Sequence, residues 1–162
     1  MAVDEEFQII VSQDVTPTAP DVNELIPAVE RIEDTLGSKP ERVLADAGYW
    51  SEENVRALEA KGIEPFIATE KQKHGPPLPA PRGRPPKNLT MRERMARKLR
   101  TKRGRRIYAG RKVLAEPVIG QIKQARGFRQ FLRRGAQQVR QEWALVCLAH
   151  NLRKLHTAMG TV

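Results

Sequence analysis

The sequence predicts an α/β fold in which a mixed sheet is flanked by helices. Over residues 1–70, short apolar runs alternate with amphipathic stretches, and this order implies crossovers onto a sheet that is at least partly parallel. Residues 89–162 instead show apolar residues at helical spacing. The length of 162 residues is sufficient for one domain with a core of its own.

The first two strands are predicted at the start of the chain. Val3 to Glu6, followed by Phe7 to Ser12, is typical of two strands joined by an acidic turn. The run from Phe7 to Val11 is apolar enough for a central strand. Pro17 and Pro20 then end that strand, because proline cannot donate to a sheet ladder.

Helices and strands alternate in the rest of the acidic part. A helix is predicted over residues 21–36, because Asp21 can cap it and its apolar residues share one face. Ser51 is the expected cap of a second helix. Short apolar runs at 41–46 and 63–68 predict two more strands.

A connector separates this part from a second, helical part. Between Lys71 and Lys87 the composition changes to proline, glycine and cations, which predicts an extended, mobile segment without a packed core. We therefore divide the chain into residues 1–70, a connector over 71–88 that forms a basic insertion, and residues 89–162.

Three helices are predicted in residues 89–162. They are Met91 to Arg100, a helix that surrounds or follows Glu116, and a helix from about Ala136 to Thr157. The last of them should pack on the sheet through an apolar face formed by Leu145, Leu148, Leu152 and Leu155 and widened by Val139, Trp143 and Val146.

The charge is divided unevenly along the chain. Residues 1–70 hold 5 Lys/Arg against 16 Asp/Glu, whereas residues 71–162 hold 24 against 3. So many cations favour a polyanionic partner, and nucleic acid over a membrane surface. Few aromatic residues follow Lys71, which disfavours an RNA-associated protein with stacking platforms. No leader or membrane span is recognisable, so we expect a cytoplasmic protein, with Cys147 as a core residue and no internal disulfide.

Asp46 is the first candidate for chemistry. It follows the apolar run Val43 to Ala45, and ligands of α/β sheets usually bind at the carboxyl ends of strands. The alternative is that Asp46 and Gly48 only form a turn. Because Ser51 already caps the following helix, Asp46 is not needed for that role.

Glu116 is the second candidate, as one of three acids after residue 70. It is either a counter-charge for arginines or a metal ligand, and Pro117 after it fits the first turn or a kink of a helix. Carboxylates beside a basic surface suit phosphodiester chemistry, in which two divalent cations activate the attacking hydroxyl and stabilise the leaving oxygen. Such a site normally needs three carboxylates.

The residues around both acids resemble a known family. The stretch from Val43 to Tyr49 resembles the strand of the second acid in DDE transposases of bacterial insertion sequences. The stretch from Tyr108 to Lys123 is similar to their Tyr-Arg-Glu-Lys signature around the third acid, with one extra residue between Arg111 and Glu116. The resemblance implies a ribonuclease-H-like domain with two Mg²⁺ or Mn²⁺ ions, which cuts and rejoins double-stranded DNA at transposon ends.

The resemblance also implies roles for single residues. Asp46 and Glu116 become the catalytic metal ligands. Lys123, seven residues after Glu116, should share its helical face and contact phosphate, although it could be a solvated cation. Tyr108 and Arg111 are candidates for DNA binding or for holding Glu116, with a core aromatic as the alternative for Tyr108. Further DNA-binding candidates are Arg126 and Arg129. No catalytic role is expected for the histidines at 74, 150 and 156.

The connector holds one more motif. Pro81 to Lys87 resembles an AT-hook, a short extended element that inserts Arg82 and Arg84 into a narrow minor groove. The alternative is a linker that contacts phosphates without sequence preference.

The start of the chain differs from the family. The first acid of the family lies on its first strand, and this sequence begins on what corresponds to the second, so the resemblance implies a truncated copy that is inactive or impaired. The alternative function is a non-catalytic DNA-binding remnant. A homodimer, or pairing with an intact transposase, is expected only from the family.

Overall fold

The computed structural model describes residues 1–16, 21–70 and 78–160, and it is a mixture of helices and small sheets. These residues form two units that alternate along the chain. The first contains residues 1–16, 28–38 and 112–160, and the second contains residues 21–27, 39–70 and 78–111. The boundaries predicted after residues 70 and 88 do not coincide with theirs. Predictions for Pro17, Pro20, His74 and the first half of the connector lie outside the described residues.

The first unit begins with an antiparallel pair of short strands, β1 (Ala2–Val3) and β2 (Ile10–Ser12). The carboxylate of Asp4 closes the turn between them, because it accepts the backbone N–H groups of Phe7 at 2.8 Å and of Ile9. Phe7 therefore lies in the turn and is 54% exposed. The prediction of a central strand over residues 7–11 is wrong, since this local capping takes the backbone donors that a strand would need.

The last helix, α5 (Ala136–Met159), packs against β2 as predicted, but through a different face. The side-chain amide of Asn151 replaces a neighbouring strand for Ile10, accepting its N–H at 2.8 Å and donating to its carbonyl at 2.9 Å. The predicted leucine face is largely exposed: Leu145, Leu148, Leu152 and Leu155 are 52–66% accessible. The prediction is wrong for the four leucines but holds for Trp143 and Val146, which form a second stripe with Cys147 and pack against the core.

This second stripe completes a small core. Cys147 is buried with Ile10, Val118 and Ile122, and the rings of Trp143 and Phe128 pack against this cluster. The prediction that Cys147 is a core residue is confirmed. Burial raises the pKa of its thiol to about 11, so the thiol stays protonated near neutral pH.

The helix predicted over residues 21–36 is confirmed, with a 3₁₀ turn over Asp21–Glu24 followed by α1 (Leu25–Leu36). It ends at Gly37, which has a φ of 65° and donates its N–H to Glu33 at 2.9 Å. A left-handed residue suits this end because it closes the last helical turn.

The second unit is built on a parallel pair, β3 (Arg42–Ala45) and β4 (Glu64–Ile67). The helix α2 (Glu52–Ala60) connects them and packs against β4, and the hydroxyl of Ser51 caps it by accepting the N–H of Asn54 at 3.0 Å. The parallel pairing and the Ser51 cap are confirmed. The single sheet is not, because the described residues form two separate two-stranded sheets.

Two basic helices lie between β4 and α5 in the sequence. These are α3 (Met91–Arg100), which a capping box between Thr90 and Glu93 starts, and α4 (Lys102–Gly120). A π-helix over Gln121–Ala125 extends α4. Residues 78–88 contain neither helix nor strand and are almost entirely exposed. Within the described part of the chain, no helix combines the length and the apolar character of a membrane span.

Candidate active site

Asp46 lies in the second unit, directly after the last residue of β3. Its backbone is extended, and its Oδ1 accepts the N–H of Gly48 at 2.9 Å, so that the side chain caps the 3₁₀ turn over Ala47–Tyr49. Asp46 therefore caps this turn, whereas Ser51 caps α2. The predicted alternative, that Asp46 and Gly48 form a turn, is confirmed. The side chain nevertheless stays 53% exposed, and each oxygen retains a lone pair for another partner.

Two residues of α4 contact this end of β3. The hydroxyl of Tyr108 donates to the carbonyl of Ala45 at 3.1 Å, one residue before Asp46. The Nη1 atom of Arg111 lies 3.8 Å from Oδ2 of Asp46, and its guanidinium carbon is 5.8 Å from the centre of the Tyr108 ring. Tyr108 therefore fixes the backbone beside the carboxylate, and Arg111 places a cation against it.

Burial keeps the Tyr108 hydroxyl in its donor form. Desolvation raises the pKa of Tyr108, the charge of Arg111 opposes this, and the charge of Asp46 adds to it. The hydroxyl is therefore protonated near neutral pH and can donate to Ala45. The core-aromatic alternative holds for the ring, which is half-buried, but the hydroxyl is engaged and does not project into solvent.

Further acids surround the turn after Asp46. A Cβ atom added at Gly48 would lie 3.1 Å from Oδ1 of Asp46 and 3.8 Å from Oδ2 of Asp21, so both carboxylates approach this glycine. Burial raises the pKa of Tyr49, and the charges of Asp21, Asp46 and Glu24 raise it further. The sequence around Asp21 predicts only the start of a helix and gives no sign of its proximity to this turn.

Glu116 lies in the first unit, exposed on α4 near its end. Pro117 after it lies inside the helix, so of the two predicted positions for Pro117 the first turn is wrong. Proline lacks the N–H that would bond to the carbonyl four residues earlier, here that of Val113. The side-chain amide of Gln8 donates to that carbonyl instead, at 3.0 Å.

The basic residues after Glu116 do not continue a regular α-helix. Lys123 is exposed but belongs to the π-helix, whose wider turn rotates later side chains out of the α-helical register. The face that a seven-residue spacing predicts for Lys123 assumed a continuous α-helix, and that assumption is wrong. Arg129 is exposed and donates to Oε1 of Gln124 at 2.8 Å.

Arg126 is partly buried, unlike Lys123 and Arg129. Its Nη1 atom is buried and finds no hydrogen-bond partner among residues 1–16, 21–70 and 78–160. Burial lowers the pKa of its guanidinium, and the charge of Arg153 lowers it further. An arginine remains charged under these conditions, so Arg126 is a cation held partly inside the protein.

The Arg82 and Arg84 side chains are exposed, but the backbone between them is bent. Gly83 has a φ of 71°, in the left-handed region. Arg97 of α3 donates to the carbonyls of Arg82 at 3.2 Å and of Gly83 at 2.6 Å. The extended form that an AT-hook needs is therefore not the conformation observed, and the backbone of this half of the connector is anchored to a helix.

The donor chemistry at both acids suits a hard divalent cation. Mg²⁺ and Mn²⁺ prefer carboxylate oxygens, and the side chains of Asp46 and Glu116 are both exposed carboxylates. In the part of the chain that the structure describes, no three His, Cys, Asp or Glu residues are grouped so as to hold a metal ion. Asp46 belongs to one unit and Glu116 to the other, so their convergence stays a prediction.

Comparison with known proteins identifies the helical part of the chain. Residues 83–156 match the family model described as a transposase DDE domain. A curated protein of Burkholderia cepacia, named as a transposase for insertion sequence element IS402, is 41% identical over 61 residues. That alignment covers 34% of this chain and 29% of the relative. No solved structure matches. The matched segment makes up less than half of the chain and includes Tyr108, Arg111 and Glu116, and it is similar to the DDE domain of insertion-sequence transposases.

Proposed function

We propose that this chain acts in DNA transposition, with Asp46 and Glu116 as ligands of Mg²⁺ or Mn²⁺ in metal-dependent cleavage and transfer of DNA strands. The observation that carries the proposal is the surroundings of Asp46. An exposed carboxylate ends a parallel strand, and two residues of the family-matched helix, Tyr108 and Arg111, contact this strand end. The similarity of residues 83–156 to a transposase DDE domain supports DNA as the partner.

Each residue near the acids has a separate task in this proposal. Tyr108 holds the backbone at the end of β3, and Arg111 orients Asp46 by charge. Lys123 and Arg129 are exposed cations that would contact backbone phosphates, with Arg126 supporting them from a half-buried position. A bound divalent cation would supply Lewis acidity at the scissile phosphate. The ribonuclease-H-like arrangement of the whole domain is also part of the proposal.

Metal binding provides the sharpest test of this proposal. Mn²⁺ is titrated into the full chain and its binding followed by the loss of the free-ion electron paramagnetic resonance signal. Asp46→Asn and Glu116→Gln should each weaken the same binding event by about 10–100-fold or more. Glu59→Gln, an exposed acid of α2, is the matched control and should leave the affinity unchanged.

The double variant tests whether the two acids share a site. If they do, Asp46→Asn combined with Glu116→Gln loses little more than either single change, because coupled residues are not additive. If each single variant instead removes a different one of two Mn²⁺ binding events and leaves the other unchanged, the acids form two separate sites and the shared site is refuted.

DNA binding without cleavage is the second candidate function. It is favoured by the exposed cations of the matched segment, such as Lys123 and Arg129, which can contact phosphates without a metal ion. Nicking of a transposon-end duplex in Mg²⁺ or Mn²⁺ distinguishes the two: cleavage lost in Asp46→Asn supports the enzyme. Salt-dependent duplex binding that both acid variants retain, without any cleavage, supports the alternative.

A further inference from the structure

Pro117 creates a defect in the helix that carries Glu116. A helical residue at this position normally donates its N–H to the carbonyl of Val113, and proline has no N–H to donate. The helix nevertheless continues past Pro117 to Gly120 and then into the π-helix over Gln121–Ala125. Some other donor must satisfy the carbonyl of Val113 for this geometry to be fixed.

Gln8 supplies that donor from the turn between β1 and β2. Its Nε2 atom lies 3.0 Å from the carbonyl oxygen of Val113, although 105 residues separate the two in sequence. The bond is made to the turn of α4 that precedes Glu116 by three residues, and it belongs wholly to the first unit. A glutamine side chain thus takes the place of a missing backbone N–H.

Contacts with α5 hold Gln8 in position for this bond. Its Oε1 accepts from Nζ of Lys154 at 2.7 Å, and its backbone oxygen lies 2.9 Å from Nε2 of His150. The positive charge of Lys154 beside the amide oxygen of Gln8 polarises the amide and strengthens its N–H groups as donors. The Nζ atom of Lys154 and the Nε2 atom of His150 therefore fix both the side chain and the backbone of Gln8.

The backbone of Gln8 is itself unusual. Its φ is 60°, and among the described residues it is the one residue other than glycine with a positive φ. Such a conformation is costly and persists only where the surrounding contacts determine it. The turn closed by Asp4 and the contacts from α5 are those contacts here.

We propose that Gln8 is a positioning residue for Glu116, whose amide replaces the N–H that Pro117 lacks and fixes the helical turn that presents the carboxylate. This inference rests on the proposed role of Glu116 as a metal ligand. Gln8 itself contacts neither DNA nor metal in this proposal.

A double-mutant cycle with Pro117 tests the substitution of one donor for another. Gln8→Gly tolerates the left-handed backbone and removes the side chain, with both the amide donor to Val113 and the acceptor for Lys154. Pro117→Ala provides residue 117 with an N–H that can bond to Val113 directly. Gln8→Gly should weaken Mn²⁺ binding about 10-fold in the wild-type background and less than about 2-fold in the Pro117→Ala background.

A second variant distinguishes the loss of the amide donor from a loss of folding. Gln8→Glu keeps an oxygen for Lys154 but has no N–H for Val113, so it should weaken Mn²⁺ binding as Gln8→Gly does while the fold is retained. Equal losses in both backgrounds would overturn the inference, because Gln8 would then act through general stability. Unchanged affinity in Gln8→Gly and Gln8→Glu would overturn it as well.

Amide hydrogen exchange separates this inference from the proposed function. Gln8→Gly should speed exchange over residues 114–122, and Pro117→Ala should restore protection, whether or not Glu116 binds metal. If exchange behaves in this way but Glu116→Gln leaves Mn²⁺ binding intact, the metal-ligand role fails and the positioning of Glu116 for metal fails with it, although the donor substitution stands. If Glu116→Gln weakens binding and neither exchange nor affinity responds to Gln8→Gly, the inference fails and the proposed function stands.

Discussion

Replacing Glu64 by glutamine should destabilise the second unit measurably. The carboxylate of Glu64, at the start of β4, receives two hydrogen bonds from Arg103, at 2.6 and 2.7 Å, and Lys98 lies 3.1 Å away. The hydrogen bonds from Arg103, followed by the hydrogen bond and charge of Lys98, lower the pKa of Glu64 from 4.5 to about 2, although partial burial opposes them. These contacts hold the basic helices against β4.

The magnitude follows from the pKa of Glu64. A fall from 4.5 to about 2 corresponds to at most roughly 3.4 kcal/mol at about 1.36 kcal/mol per pKa unit. The side chains of Glu64 and Arg103 are 34% and 60% exposed, so solvent screens much of this energy. We expect the loss in the free energy of unfolding to be roughly 1–2 kcal/mol.

The sign of the pH dependence is fixed by the lowered pKa. The stabilisation is complete above a pH of about 4.5, where the carboxylate is ionised even in the unfolded chain, and is lost as the pH falls through about 2. The difference between wild type and Glu64→Gln should therefore shrink in acid. Glutamine retains hydrogen-bonding capacity but not the charge.

Urea unfolding at several pH values is the assay. Trp50 lies in the second unit and Trp143 in the first, so fluorescence in a Trp143→Phe background reports the second unit. Glu59→Gln, at an exposed position of α2, is the matched control. Equal stability of Glu64→Gln and wild type near neutral pH would refute the reasoning, as would a difference that does not change in acid.

Two further predictions concern α5. Burial lowers the pKa of His150, and the charges of Arg126 and Lys154 add to this against the hydrogen bond at Gln8, so stability should be complete above a pH of about 6.5 and be lost as the pH falls through the lowered folded-state pKa. His150→Gln should remove that acid-side loss in unfolding titrations, whereas the exposed His156→Gln should retain it. The buried thiol of Cys147, with its pKa of about 11, should react with a disulfide reagent about 100-fold more slowly in the folded chain than in urea, and equal rates would contradict its burial.

Local signals made much of the secondary structure predictable. The cap at Ser51, the end of α1 at Gly37 and the start of α3 at Thr90 each depend on bonds between residues at most four positions apart. Sequence also placed Asp46 after β3 and Glu116 within the family-matched helix. It failed for Phe7, because the apolar run there gave no sign that Asp4 would take its N–H.

The faces of α5 show why periodicity alone was not sufficient. The helix carries two apolar stripes, and both have the spacing of a buried face. The bonds of Asn151 to Ile10 and the packing of Trp143 and Cys147 in the core bury one stripe, while Leu145 remains exposed on the other. These contacts come from segments distant in sequence, so helical spacing did not reveal them.

By itself, the sequence determined the division of charge, the helix and strand order, and the two acids on which the chemistry depends. The tertiary structure decided which groups hold the backbone next to those acids. The hydroxyl of Tyr108 bonds to Ala45 beside Asp46, 63 residues away, and the amide of Gln8 bonds to Val113 in the turn before Glu116, 105 residues away. The reason is physical. Periodicity and caps act within a few residues, whereas a donor for an orphaned carbonyl can come from any segment that folding brings within 3 Å or so.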